Sequence, residues 1–169
     1  MMVVLARARL ACALVLLAAG LLAPAGATAA DWPQFRGPNR DGVSPETGLL
    51  RSWPPGGPKV LWSTPVGQGY AAAAIVAGRV YFNDYDEAAG DYLVRCLNLA
   101  DGKEIWRFRE KRRIRPNHAI TRTVPATDGK LVFTFDPKAV LHALDAATGR
   151  EVWRKDLVQE YGSQIPPWY

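Results

Sequence analysis

Two stretches of this chain carry the same twelve-residue pattern, 47 positions apart and without a gap. The first runs Cys96-Leu97-Asn98-Leu99-Ala100-Asp101-Gly102-Lys103-Glu104-Ile105-Trp106-Arg107. The second runs Ala143-Leu144-Asp145-Ala146-Ala147-Thr148-Gly149-Arg150-Glu151-Val152-Trp153-Arg154. Leu, the second Ala, Gly, Glu, Trp and Arg are identical, and Lys/Arg and Ile/Val are near-synonyms. A partial third copy, Lys59-Val60-Leu61-Trp62, ends 44 residues before Trp106. A repeat of this length is one supersecondary unit that cannot bury its apolar face alone, so successive units must stack on one another.

Each unit reads as four short strands. In the first they are expected at Ala71–Val76, Arg79–Asn83, Tyr92–Leu97 and Glu104–Phe108. In the second they are expected at Arg122–Ala126, Lys130–Phe135, Val140–Leu144 and Glu151–Asp156. Apolar and polar residues alternate in Leu131-Val132-Phe133-Thr134-Phe135, as a half-buried strand requires. Ala77-Gly78, Asp101-Gly102, Asp128-Gly129 and Thr148-Gly149 supply turns, because Gly accepts the positive φ of a tight hairpin and Asp or Thr bonds back to the turn backbone. Four antiparallel strands per 40–50 residues is about the length of a propeller blade. The fold class is therefore all-β: a partial β-propeller with two complete blades and one outer strand, Val60–Thr64, belonging to another.

The second copy satisfies A-x-D-x-x-T-G-x-x-x-W through Ala143, Asp145, Thr148, Gly149 and Trp153. This resembles the tryptophan-docking motif of the quinoprotein, or pyrroloquinoline-quinone-like, β-propeller family. The first copy departs from it at Cys96, Asn98 and Asp101 but keeps Gly102 and Trp106. The resemblance covers roughly Val60 to Asp156 and implies that Trp62, Trp106 and Trp153 join one blade to the next. A small residue leaves room for the indole, which buries a large area and offers one N–H to a backbone acceptor.

The ends have a different character. Arg7 and Arg9 precede an apolar run from Leu10 to Leu22, and A-x-A sites follow at Ala25-Gly26-Ala27 and Ala27-Thr28-Ala29. This is the pattern of a signal peptide over residues 1–30, and the run is shorter than the roughly 20 residues of a membrane span. Export to the periplasm or the extracellular space follows, with no membrane span after cleavage. Cys12 leaves with that segment, so Cys96 has no disulfide partner within the chain. Residues 31–58, dense in Pro and Gly, read as an irregular lead-in that lays aromatics on the blades, and residues 59–169 read as an incomplete ring. A closed propeller needs about four to eight blades, so the chain reads as a fragment whose partners include the remaining blades of a longer chain.

The resemblance also implies what to look for chemically. Quinone-dependent dehydrogenases of the family hold pyrroloquinoline quinone (PQQ) against a disulfide of adjacent cysteines, with Ca²⁺ on carboxylate and amide oxygens. No Cys-Cys pair is present and no acidic cluster has Ca²⁺-ligand spacing, so no catalytic, cofactor or metal residue is assigned. Asp84, Asp86, Glu87 and Asp91 are expected to form a solvated hairpin turn. The run from Arg107 to Arg115 holds six basic residues and one acid; it reads as a charged edge that discourages strand addition, or as a rim attracting an anionic polymer or an acidic partner. Nucleic acid is not indicated, since no aromatics interleave the basic residues. Arg115, Asn117, His118 and Arg122 are candidates for binding at a channel mouth, and His142 reads as a residue on a blade face. The function expected is a non-catalytic binding or assembly scaffold in the cell envelope, with an envelope protein as partner. The alternative is a periplasmic PQQ- and calcium-dependent dehydrogenase whose active-site blades are missing from this chain.

Overall fold

A computed structural model of the 169-residue chain describes residues 30–114 and 120–166. The leader expected over 1–30 lies outside them apart from Ala30. Eight strands form two four-stranded antiparallel sheets. Blade 1 contains β1 (Ala74–Val76), β2 (Arg79–Asp86), β3 (Asp91–Asn98) and β4 (Glu104–Lys111). Blade 2 contains β5 (Ala126–Thr127), β6 (Leu131–Phe135), β7 (Val140–Asp145) and β8 (Glu151–Asp156). In both sheets spatial order follows chain order, so β4 and β8 are outer edges. The two sheets make an open arc.

The core lies between the blades. Tyr81, Tyr92, Val94, Cys96 and Trp106 of blade 1 meet Val132, Leu144 and Ala146 of blade 2. In β3 every residue from Asp91 to Leu97 is buried, because both faces of that strand are covered. The alternation expected of β6 is seen directly, with Val132 and Thr134 buried and their neighbours half-buried. Each aromatic in such a seam removes about 150–250 Å² from water, worth several kcal/mol at ~25 cal/mol per Å².

The inner strands are shorter than Ala71–Val76 and Arg122–Ala126. Their leading segments bond to each other across the seam: the amides of Tyr70 and Ala71 both donate to the Thr121 carbonyl, at 2.6 and 2.9 Å, and Gly69 bridges Thr121 in parallel. Pro125 has no N–H to give to a ladder. Strands β2, β3 and β4 run longer than expected, out to Asp86, Asp91 and Lys111. The Val60–Thr64 segment forms no ladder among the described residues. It has no neighbouring strand there to pair with, and it is placed through Trp62 instead.

One short helix, α1 (Leu157–Tyr161), follows β8. Asp156 caps it by accepting from the Val158 and Gln159 amides, and Gly162 ends it in the left-handed conformation at φ 66°. The lead-in lies against the inner strands. Trp32 exchanges two backbone hydrogen bonds with Ile75, at 2.7 and 2.8 Å, and the Pro33 carbonyl accepts from Thr127 at 2.9 Å.

Candidate functional site

The joint between blades is built from one local device used twice. The Trp62 indole N–H donates to the Leu99 carbonyl at 2.8 Å, and the Trp106 N–H donates to the Ala146 carbonyl at 3.0 Å. Leu99 and Ala146 are equivalent positions in the 47-residue repeat. Each indole lies on the glycine of the same turn. A Cβ on Gly102 would fall 2.6 Å from Trp62 Cδ2, and one on Gly149 would fall 2.6 Å from Trp106 Cδ2. Both glycines also hold positive φ, 71° and 72°. Glycine is thus required for conformation and for clearance.

The turn itself is tied by Asp145, whose Oδ1 accepts from the Ala147 amide, the Thr148 amide and the Thr148 hydroxyl. In blade 1 the work is divided: Asn98 Oδ1 holds the Ala100 amide and Asp101 Oδ1 the Lys103 amide. Ala143 is fully buried opposite Trp153 in the ladder, as Cys96 is opposite Trp106. Trp153 itself rests on Phe133 of its own blade, 6.0 Å between centroids, and stays 39 % exposed. Among the described residues it meets no turn of a further blade, so its expected docking role is not exercised here.

A second repeated device is not visible in the ungapped repeat. On the face of β3 turned from blade 2, Arg95 donates to Asp84 Oδ2 at 3.0 Å and to Glu104 Oε2 at 2.8 Å. Arg95 also grips the incoming chain through the Pro65 carbonyl and the Thr64 hydroxyl, while Asp84 Oδ1 accepts from the Gly67 amide at 2.7 Å. In blade 2 the equivalent strand position holds His142, fully buried. Its Nδ1 is 2.7 Å from Glu151 Oε1 and its Nε2 is 3.5 Å from Asp136 Oδ2. Asp136 in turn accepts from Arg112 Nε at 2.5 Å and from the Lys138 and Val140 amides. Each blade therefore sets a basic side chain between two carboxylates, and each Asp also holds the connector arriving from the preceding strand. The sequence signal was present in part, since Arg95/His142 and Glu104/Glu151 both sit at offset 47.

Electrostatics follow from this packing. Burial alone would raise the Asp136 carboxyl, but the neighbouring His142 imidazole and the hydrogen bonds from the Val140 amide and Arg112 outweigh it and hold the pKa below the usual value. Burial alone would likewise depress the His142 imidazole, yet the facing Asp136 and Glu151 carboxylates prevail and raise its pKa. Desolvation pushes the buried Cys96 thiol up to about 11.

The solvated turn expected of Asp84, Asp86, Glu87 and Asp91 is corrected in part. Asp84 and Asp91 are buried, because each neutralises arginine or lysine on a neighbouring strand; Asp91 pairs with Arg109 at 2.8 Å and Lys111 at 3.1 Å. The same pairs change the picture of the basic run. Arg107 is bound by Glu104 at 2.8 Å, and Arg112 by Asp136 and Glu110. Much of the expected anion-attracting rim is spent on carboxylates within the blades.

At the end of the blades where β4 hands over to β5, a cavity of about 330 Å³ opens. Ile120, Phe135, Pro137, Leu157 and Ile165 form its apolar wall, and Arg122, exposed, lies on its border. The other three channel-mouth candidates, Arg115, Asn117 and His118, lie outside the described residues. The cavity is suited to an apolar side chain or a short peptide segment rather than to a charged ligand. No group of three or more His, Cys, Asp or Glu among the described residues is arranged to hold a metal ion.

A family model described as the outer membrane protein assembly factor BamB matches residues 90–167. No curated protein matches the chain. Among solved structures, the quinohemoprotein alcohol dehydrogenase of Comamonas testosteroni is similar at 20 % identity, with a TM-score of 0.52 over 79 % of this chain and 21 % of that one. BamB from Moraxella catarrhalis is similar at 23 % identity, with a TM-score of 0.42 over 56 % of this chain and 26 % of that one. The chain thus spans about a fifth to a quarter of the length of these structures. At such identities the likeness bears on fold alone. With the docked tryptophans and the two four-stranded blades, the match supports a PQQ-like β-propeller repeat over this segment of the chain.

Proposed function

We propose that the chain is part of an exported, non-catalytic propeller that acts as a binding or assembly scaffold in the cell envelope. The observation that carries this reading is the match of residues 90–167 to an outer membrane protein assembly factor. Two features of the geometry support a protein partner over an anionic polymer. The basic run is largely paired within the blades, and the cavity at the connector end has an apolar wall. Among the described residues no helix is long and apolar enough to cross a membrane.

The test is to cross-link the full-length protein in intact cells and identify what is captured. Recovery of outer-membrane proteins is the expected result, and it should weaken when Ile120 or Leu157 is replaced by aspartate. Absence of any envelope partner would count against the scaffold. The dehydrogenase reading is examined by supplying the full-length protein with pyrroloquinoline quinone, Ca²⁺, alcohols or sugars, and a dye acceptor. Turnover there would replace the proposal.

A further inference from the structure

The two cation boxes differ at one point. Blade 1 uses arginine, which is charged at every accessible pH, and blade 2 uses histidine, whose charge changes near neutrality. The rest of the box is kept. Asp84 lies within β2 opposite Leu93, Asp136 directly follows β6 and donates its amide to the Val140 carbonyl, and Glu104 and Glu151 open the fourth strands. A position flanked by the same two carboxylates calls for a cation in both blades.

We propose that His142 is a proton-dependent clamp inside blade 2 at its seam with blade 1, tying Asp136 to Glu151 when charged and losing that grip when neutral. Three observations carry this. His142 is fully buried, with its ring 5.2 Å from Phe108 and stacked at 6.2 Å on Tyr92, both of blade 1. Nδ1 is hydrogen-bonded to Glu151, and the buried Nε2, which makes no hydrogen bond, faces Asp136 at 3.5 Å. A neutral imidazole carries one lone pair, which would then point at a carboxylate: at the fully buried Asp136 or at the partly exposed Glu151. Finally, Asp136 is shared between His142 and Arg112, which arrives directly after β4 of blade 1. His142 therefore faces the same carboxylate that Arg112 grips across the seam.

The groups around the ring complete the balance. Asp136 and Glu151 are the two facing anions. Arg112 is the second cation on Asp136. Arg154 sits opposite His142 on β8 and pairs with Glu110 of β4 at 3.3 Å. With His142 protonated, Arg112 and His142 offset Asp136 and Glu151. Without its proton, a buried anion loses a partner. Because the folded-state pKa is raised above the unfolded value of about 6.5, the stabilisation is complete below that pH and is lost as pH rises through the folded value.

The experiment uses the full chain, which contains two histidines. Their imidazole NMR signals are assigned with His118→Gln. The signal of His142 should remain that of the protonated ring above pH 7, and urea unfolding should show the folding equilibrium constant falling as pH rises from 6 to 9, about tenfold for each unit separating the folded and unfolded pKa. His142→Arg should remove that pH dependence while keeping the low-pH stability. His142→Gln should also be flat, at the lower, high-pH level. A neutral His142 ring in the folded chain at pH 6.5 would overturn the proposal, as would equal pH dependence in the native chain and His142→Arg. Should the arginine variant fail to fold, the NMR titration and the glutamine variant decide the matter alone.

Discussion

Replacing Trp106 with alanine separates the docked state of the repeat tryptophan from its undocked state, because Trp153 occupies the same motif position and serves as an internal control. Trp106 is 8 % exposed and Trp153 is 39 % exposed. The difference is about a third of a tryptophan surface, or roughly 70 Å² of the ~200 Å² such a side chain buries. At ~25 cal/mol per Å² this is about 2 kcal/mol. Trp106 also donates to the Ala146 carbonyl, a hydrogen bond worth about 1 kcal/mol net. Removing the ring leaves a cavity over Gly149, whereas the space beside Trp153 is already open to solvent. Trp106→Ala is therefore expected to cost about 3 kcal/mol more than Trp153→Ala. Urea titrations followed by far-UV circular dichroism measure both, provided the slope with denaturant is unchanged. Losses within about 1 kcal/mol of each other would refute the assignment of Trp106 as the joint between blades.

Gly149→Ala should be destabilising by about 2 kcal/mol or more, since the new Cβ must adopt a positive φ, itself costing roughly 1–2 kcal/mol, and meets the Trp106 ring; the same change at Gly162, where nothing lies within 4 Å, should cost only the backbone part. Cys96, with its thiol raised to about 11 and its side chain buried, should react with a thiol reagent at pH 8 only at the rate of global unfolding, a comparison made with Cys12 replaced by serine; rapid native-state labelling would contradict the packing. Asp136 has a depressed pKa, so its contribution is present above the unfolded value near about 4 and is lost as pH falls through the folded value. Acid unfolding of Asp136→Asn should accordingly show a weaker loss below pH ~4 than the native chain, and an unchanged acid limb would remove Asp136 from the account.

The all-β class, the two four-stranded units and the glycine turns were legible in sequence because each rests on contiguous residues. A period of two, a turn dipeptide and a docking motif are written within a dozen positions. The third and fourth strands of the two blades can be laid over each other without a gap, and the motif falls inside that stretch. The cation boxes were not legible in the same way. They draw on the second, third and fourth strands together, and the second strand has a different offset: Val80 pairs with Leu97 and Val132 with Leu144, which separates Val80 from Val132 by 52 positions and Leu97 from Leu144 by 47.

The hairpin between the second and third strands is five residues shorter in blade 2, so Asp84 and Asp136 never align in an ungapped comparison. Asp84 consequently read as one of several turn carboxylates, and His142 as a blade-face histidine with no stated partner. Only the tertiary structure brings Asp136 and Glu151 to one imidazole and the arginine following β4 to the same Asp136. Strand pairing places residues from distant parts of the chain on one face, and burial there makes their charges matter to one another. Local geometry determined the blades, and the choice of which charges share a dry seam was left to the way the blades pack.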